Sequence, residues 1–146
     1  METIEELERY LEDECYSFRE LTIGKHTAPE GYIIEKNGNT YDFCCSERGT
    51  KSIVKSFLNE KDLVKYAYER LSKNKWDRAH LVSWLWDEEE IHQAEQELRN
   101  MNIAFERNDV PNYSQGKTAY RIFVFGRDVK KLTGFKEKYF KYFADM

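Results

Sequence analysis

Apolar positions at helical spacing open the chain. Ile4, Leu7, Leu11, Cys15 and Phe18 fall on one face, and Thr3 and Glu6 stand as a capping-box pair, which predicts a first helix. From 31 to 57 the pattern changes to strands. Tyr32 to Lys36 and Thr40 to Cys45 flank the hairpin dipeptide Asn37-Gly38, with Tyr41, Phe43 and Cys45 on one face. A polar turn, Ser46-Glu47-Arg48-Gly49, leads to a third strand from Ser52 to Phe57. A second helix starts at Asn59 as N-cap, with Asp62 at N3, a staple from Leu58 to Leu63, and a buried stripe of Leu63, Tyr66, Ala67 and Leu71.

The short apolar run Ala79 to Trp86 fits either strand or helix by periodicity. We read it as a strand because Asp87 is a strong helix start directly behind it. Asp87 and Glu90 repeat the capping logic and Trp86 with Ile91 repeats the staple. Ile91, Ala94, Leu98 and Met101 mark the buried face of that helix. Ile103 to Arg107 and Thr118 to Phe125 follow as strands, joined by a polar loop through Pro111, Asn112, Tyr113 and Gly116. Tyr120 to Phe125 is nearly all apolar, as expected of a central strand covered on both faces, and Gly126 stops it. Asp128 to Met146 reads as a short helix, a break at Gly134 and a second helix rich in Lys, Tyr and Phe. The expected class is α+β: a mainly antiparallel sheet of about five or six strands with helices packed on it, in one domain of 146 residues.

Composition narrows the function classes. The net charge is −4, from 23 basic and 27 acidic residues, which disfavours a general nucleic-acid coat. No apolar run is long enough to span a bilayer, and no secretory h-region follows the acidic start. Three cysteines, two of them adjacent, are no disulfide framework, so a reduced, cytoplasmic protein is expected. Nucleophile elbows, P-loops and dinucleotide fingerprints are absent. Cys44 or Cys45 with His80 or His92 is the remaining enzyme reading. Glu89 and His92 stand at metal-ligand spacing on a helix, but the second copy that a di-iron site needs is missing, so no metal and no cofactor is expected. Residues 127 to 141 carry six bases among aromatic residues, with Lys130, Lys131, Lys136, Lys138 and Lys141 prominent. This strip fits either a nucleic-acid groove or a terminal helix whose rings dock while its lysines face water.

Acids gather in two runs. Residues 2 to 14 hold seven acids against Arg9, and Asp87 to Glu97 holds six with no Lys or Arg. A charge run alone is usually a solvated face. Two runs without a catalytic signature suggest a binding protein with a cationic partner, drawn in by electrostatic steering. The candidate contact residues are Glu12 and Asp13 on the first helix, Glu47 in the polar turn, and Asp87, Glu88 and Glu89 at a helix start. Tyr113 in its loop, or a tryptophan among Trp76, Trp84 and Trp86, would be the aromatic anchor.

Gly31-Tyr32-Ile33-Ile34-Glu35-Lys36, Tyr41-Asp42-Phe43, Ser46-Glu47-Arg48-Gly49 and Asn59-Glu60-Lys61-Asp62-Leu63 carry a family resemblance. Across most of the chain, from Thr3-Ile4-Glu5-Glu6-Leu7 to Phe125-Gly126, it resembles bacterial immunity proteins of the polymorphic-toxin type. The kinship is closest to antitoxins encoded beside secreted toxins with an LXG export domain. The resemblance implies a small cytoplasmic protein that binds one cognate toxin domain, frequently a nuclease, and inhibits it by direct contact without chemistry of its own. A monomer or weak dimer is expected.

Overall fold

In a computed structural model, residues 1–142 are described. The chain divides into two compact units, Met1–Asp77 and a second from Arg78 onward. The α+β class and the mainly antiparallel pairing agree with the sequence pattern, and the strands form two four-stranded sheets.

The first unit runs α1 (Ile4–Asp13), β1 (Leu21–Ile23), β2 (Gly31–Asn37), β3 (Thr40–Glu47), β4 (Thr50–Phe57) and α2 (Glu60–Ser72). Its sheet has the order β1-β2-β3-β4, with β1 parallel to β2 and the other pairs antiparallel. Thr3 caps α1 by accepting from Glu6 N at 3.0 Å. The helix ends earlier than the apolar spacing suggests. Cys15 takes φ 57 and Tyr16 N donates back to Leu11 O at 2.9 Å, a left-handed stop that leaves Cys15 and Phe18 beyond the helix. Phe18 instead stacks on His26, centroids 3.6 Å apart. The core joins Leu7 and Leu11 of α1, Ile23, Ile34 and Phe43 of the sheet, and Leu63, Val64 and Ala67 of α2. Full burial of a leucine such as Leu63 contributes about 2 kcal/mol.

Two expectations in this unit are corrected. Asn37 pairs with Thr40, so the hairpin turn is Gly38-Asn39, and only Gly38 (φ 62) needs positive φ. Leu58 is 85% exposed, so it forms no staple with the buried Leu63; Asn59 alone caps α2, accepting from Asp62 N at 2.9 Å. A bulge shifts the β3/β4 register after Phe43. Asp42, Phe43 and Cys44 are buried in succession, so β3 is covered on both faces there, and Cys45, on the face of Phe43, is only half-buried.

The second unit runs β5 (Ala79–Leu85), α3 (Glu88–Asn100), β6 (Phe105–Arg107), β7 (Val110–Ser114), β8 (Lys117–Phe125) and a short α4 (Phe135–Tyr139). Ala79 to Leu85 is a strand, as read from Asp87. Strand β8 is central: β5 lies along one edge, and β6 and β7 pair with it successively on the other. Ile122 and Val124 of β8 are fully buried, with Tyr120 packed beside them on the same face; on the other face Ala119 is buried but Arg121, Phe123 and Phe125 are half-buried, so the strand is not covered throughout on both faces. Val82, Leu85, Ile91, Ala94, Leu98, Ile122 and Val124 form the core.

Here too the sequence pattern needs correction. The stretch read as a polar loop is β7, which places Tyr113 on a strand beside β8. Pro111 is compatible with it because β7 pairs with β8 alone. Met101 is the C-cap of α3 and 40% exposed. The second C-terminal helix lasts five residues. Phe140 then turns extended and bridges Trp84 in parallel, and Lys141 N donates to Trp84 O at 2.8 Å. Backbone pairing with β5 thus wins over helix continuation. The end of that expected helix, from Phe143, lies outside the described residues.

Candidate functional site

The predicted acidic residues separate once their partners are known. Glu12 of α1 lies 3.0 Å from His26 Nε2 and 3.3 Å from Lys25 Nζ. The hydrogen bond from His26, reinforced by Lys25, lowers its pKa. Neighbouring Glu8 accepts from Lys25 N at 2.9 Å. These acids bind the β1/β2 connection to α1, so much of the acidic face of α1 is spent within the unit. Asp13 is exposed at the end of α1, and Glu47 is exposed at the end of β3.

On α3 the acids divide in the same way. Glu95 is buried, with Arg107 Nη1 at 3.1 Å and Arg99 Nη2 at 3.3 Å. Glu97 accepts from Lys138 at 3.0 Å, which lowers its pKa. Glu90 pairs with Lys141. Asp87 is the N-cap, accepting from Glu89 N at 3.1 Å. Glu88 and Glu89 remain exposed on the first turn, without an ion pair among the described residues. The helix dipole favours both carboxylates there.

Rings adjoin this helix start. Trp86, the residue before the cap, has its ring 6.2 Å from that of Trp84 and 5.9 Å from that of Tyr113. Its Nε1 donates to Lys141 O at 3.0 Å, which fixes the indole. Tyr142 closes the cluster, 4.7 Å from Trp84, with its hydroxyl 3.3 Å from that of Tyr113. That hydroxyl contact raises the Tyr113 pKa. Arg121, held by Asn108, lies over the Trp84 ring at 5.3 Å. Trp84 is buried, and its Nε1 has no hydrogen-bond partner among the described residues. Tyr113 remains 39% exposed and Trp86 half-buried, so the cluster shows solvent two rings braced from behind.

Of the predicted residues, Asp87, Glu88, Glu89 and Tyr113 therefore lie in the second unit, where the Tyr113 ring adjoins Trp86, the residue before Asp87, whereas Glu12, Asp13 and Glu47 belong to the first. The sequence reading missed Tyr142 and Arg121 as supports of Tyr113. Its available signal was Trp84 and Trp86, two residues apart at the end of a strand and hence on one side of it.

Cys44 is fully buried, and burial raises its thiol pKa, the opposite of what a nucleophile needs. His92 and Glu89 are both exposed. No group of three or more His, Cys, Asp or Glu able to hold a metal gathers among the described residues. Lys131, Lys138 and Lys141 of the basic strip pair with Asp128, Glu97 and Glu90. No described helix is long and apolar enough to cross a membrane. In the first unit, a cleft of about 480 Å³ is bounded by Tyr16, Tyr32, Cys45, Leu71 and Trp76.

No family model, curated protein or solved structure matches the chain.

Proposed function

We propose that this chain is an immunity protein that binds a cognate secreted toxin domain in the cytoplasm and occludes its active site. The partner surface is basic and nuclease-like. Glu88 and Glu89 meet it where substrate phosphates would lie, and Tyr113 with Trp86 supplies the anchor. One observation carries this reading: two braced, solvent-facing rings, Tyr113 and Trp86, stand at the start of α3, whose Glu88 and Glu89 form no ion pair among the described residues. Rigid aromatic anchors dominate interface energies, and unpaired acids hasten approach to a basic cleft. The resemblance to immunity proteins supplies the class of partner. The protein acts without metal or cofactor, as a monomer or weak dimer.

Affinity capture on the immobilised full chain from its native host, with the bound protein identified by mass spectrometry, tests the reading. A basic domain with activity on nucleic acid is expected. Recovery of no basic partner, or of a partner bound equally by a Trp86→Ala/Tyr113→Ala variant, would count against it.

A further inference from the structure

Strand β4 is the outer strand of the first sheet, and every residue from Thr50 to Ser56 is exposed. Ile53 and Val54 at its centre are 58% and 42% exposed, and Leu58 just beyond it is 85% exposed. Arg48 (φ 52) and Gly49 (φ 80) form a two-residue turn closed by the Glu47/Thr50 pair. Such a turn closes on a hydrogen-bonded pair, and alternation along the ladder then turns N–H and C=O of Lys51 and Ile53 away from β3. The sheet thus ends in outward-facing backbone groups lined by β-branched side chains.

The side chains discriminate between possible occupants. Lys51 and Lys55 are the charged residues of β4, and it carries no acid. Lys51 reaches Glu35, and the Lys55 ammonium lies 5.4 Å from the Tyr66 ring centroid. The bulge at Val54 sets Lys51 on the Asp42/Cys44 side of the sheet and Lys55 on the Phe43 side. A second copy pairing along β4 would place two strands that bear only positive charges side by side, which their mutual repulsion disfavours. Edge lysines and the bulge at Val54 are devices that block such self-pairing. They leave the edge open to a strand of opposite charge.

We infer that β4 takes up an extended strand of a partner protein, one that carries acidic and apolar residues, as a fifth strand of this sheet. Backbone hydrogen bonds at Lys51 and Ile53 supply affinity, and the two lysines select an acidic strand over a basic one. This surface belongs to the first unit, and its partner is opposite in charge to the partner proposed for the aromatic and acidic surface of the second unit.

The test uses the isotopically labelled full chain and two synthetic eight-residue peptides, one alternating Glu and Val and one alternating Lys and Val. The Glu/Val peptide is expected to shift the amide resonances of residues 50–57 and to slow hydrogen exchange at Lys51 and Ile53 by about tenfold or more; the Lys/Val peptide should bind about tenfold more weakly. Ile53→Pro removes an outward donor and should abolish binding, whereas Ile53→Thr keeps the donor and should retain it. The inference is overturned if millimolar Glu/Val peptide leaves the β4 amides unmoved. It is equally overturned if the two peptides bind alike, or if exchange at Lys51 and Ile53 stays unchanged on binding, a readout that does not depend on the proline variant folding.

Discussion

Tyr113 stands edge-on to Trp84, ring centroids 5.1 Å apart and planes at 76°. The contact joins a residue of an edge strand to the buried indole of β5, so an exposed tyrosine is held where a loop residue would swing. Tyr113→Ala should lower stability by about 1 kcal/mol, the scale of one aromatic pair. Urea unfolding measures that loss. A much larger destabilisation would mean that the ring serves the core rather than the surface.

Breaking the Glu95 network should cost far more. Arg107→Ala leaves a buried carboxylate with Arg99 alone, whose side chain is 58% exposed, and should destabilise the protein by about 3 kcal/mol. Replacing the pair together, Glu95→Leu with Arg107→Met, should recover most of that loss. Chemical denaturation of the single and double variants checks both values. A double variant no more stable than the single one would contradict the account.

Asp42 connects stability to pH. It is buried and accepts from Ser56 Oγ and from Asn37 Nδ2, the latter at 3.2 Å; the Ser56 hydroxyl is the chief cause of its lowered pKa. A carboxylate with a depressed folded pKa adds stability above its unfolded value, near 4, and loses it as pH falls through the folded value. Ser56→Ala should therefore destabilise the protein at pH 7 and flatten the acid-side loss of stability. Unfolding curves from pH 7 to pH 3 on both proteins follow this. An unchanged slope would remove Asp42 as the cause.

The thiols should react in a fixed order. None of the three cysteines forms a disulfide: Cys15 and Cys45 are half-buried, Cys45 lining the cleft of the first unit, and Cys44 is fully buried with its pKa raised by burial. A thiol reagent without reductant should label Cys15 and Cys45 in the native state and Cys44 only on unfolding, three in all. Fewer than three after denaturation would mean that a disulfide exists.

How far the sequence reached follows from which signals are local. Thr3, Asn59 and Asp87 named their helix starts because a cap is a bond between residues two or three apart. The end of α1 was hidden because its left-handed stop falls on Cys15, where no glycine marks it. Strand β1 is three residues long, too short for alternation to register, and it depends on Gly31, where a Cβ would come within 2.0 Å of Glu20 O. Strand β7 was concealed by Pro111 and Asn112, which an edge strand tolerates. At the candidate site the acids were visible, but which of them remain unpaired was not. Lys138 and Lys141 reach Glu97 and Glu90 over 41 and 51 residues, distances at which charge patterning along a chain is silent.

In the proposed function, Glu88 and Glu89, beside Trp86 and Tyr113, close a basic partner's active site. The most direct test titrates the full chain into the captured partner while its activity on nucleic acid is followed, with wild type and Glu88→Lys/Glu89→Lys compared at low and high salt. Full inhibition at one equivalent of wild type is expected. The double reversal should slow association about tenfold or more, with the difference shrinking as salt screens the charges. Partner activity unaffected by wild type, or inhibition by the double variant with unaltered rate and stoichiometry, would contradict it.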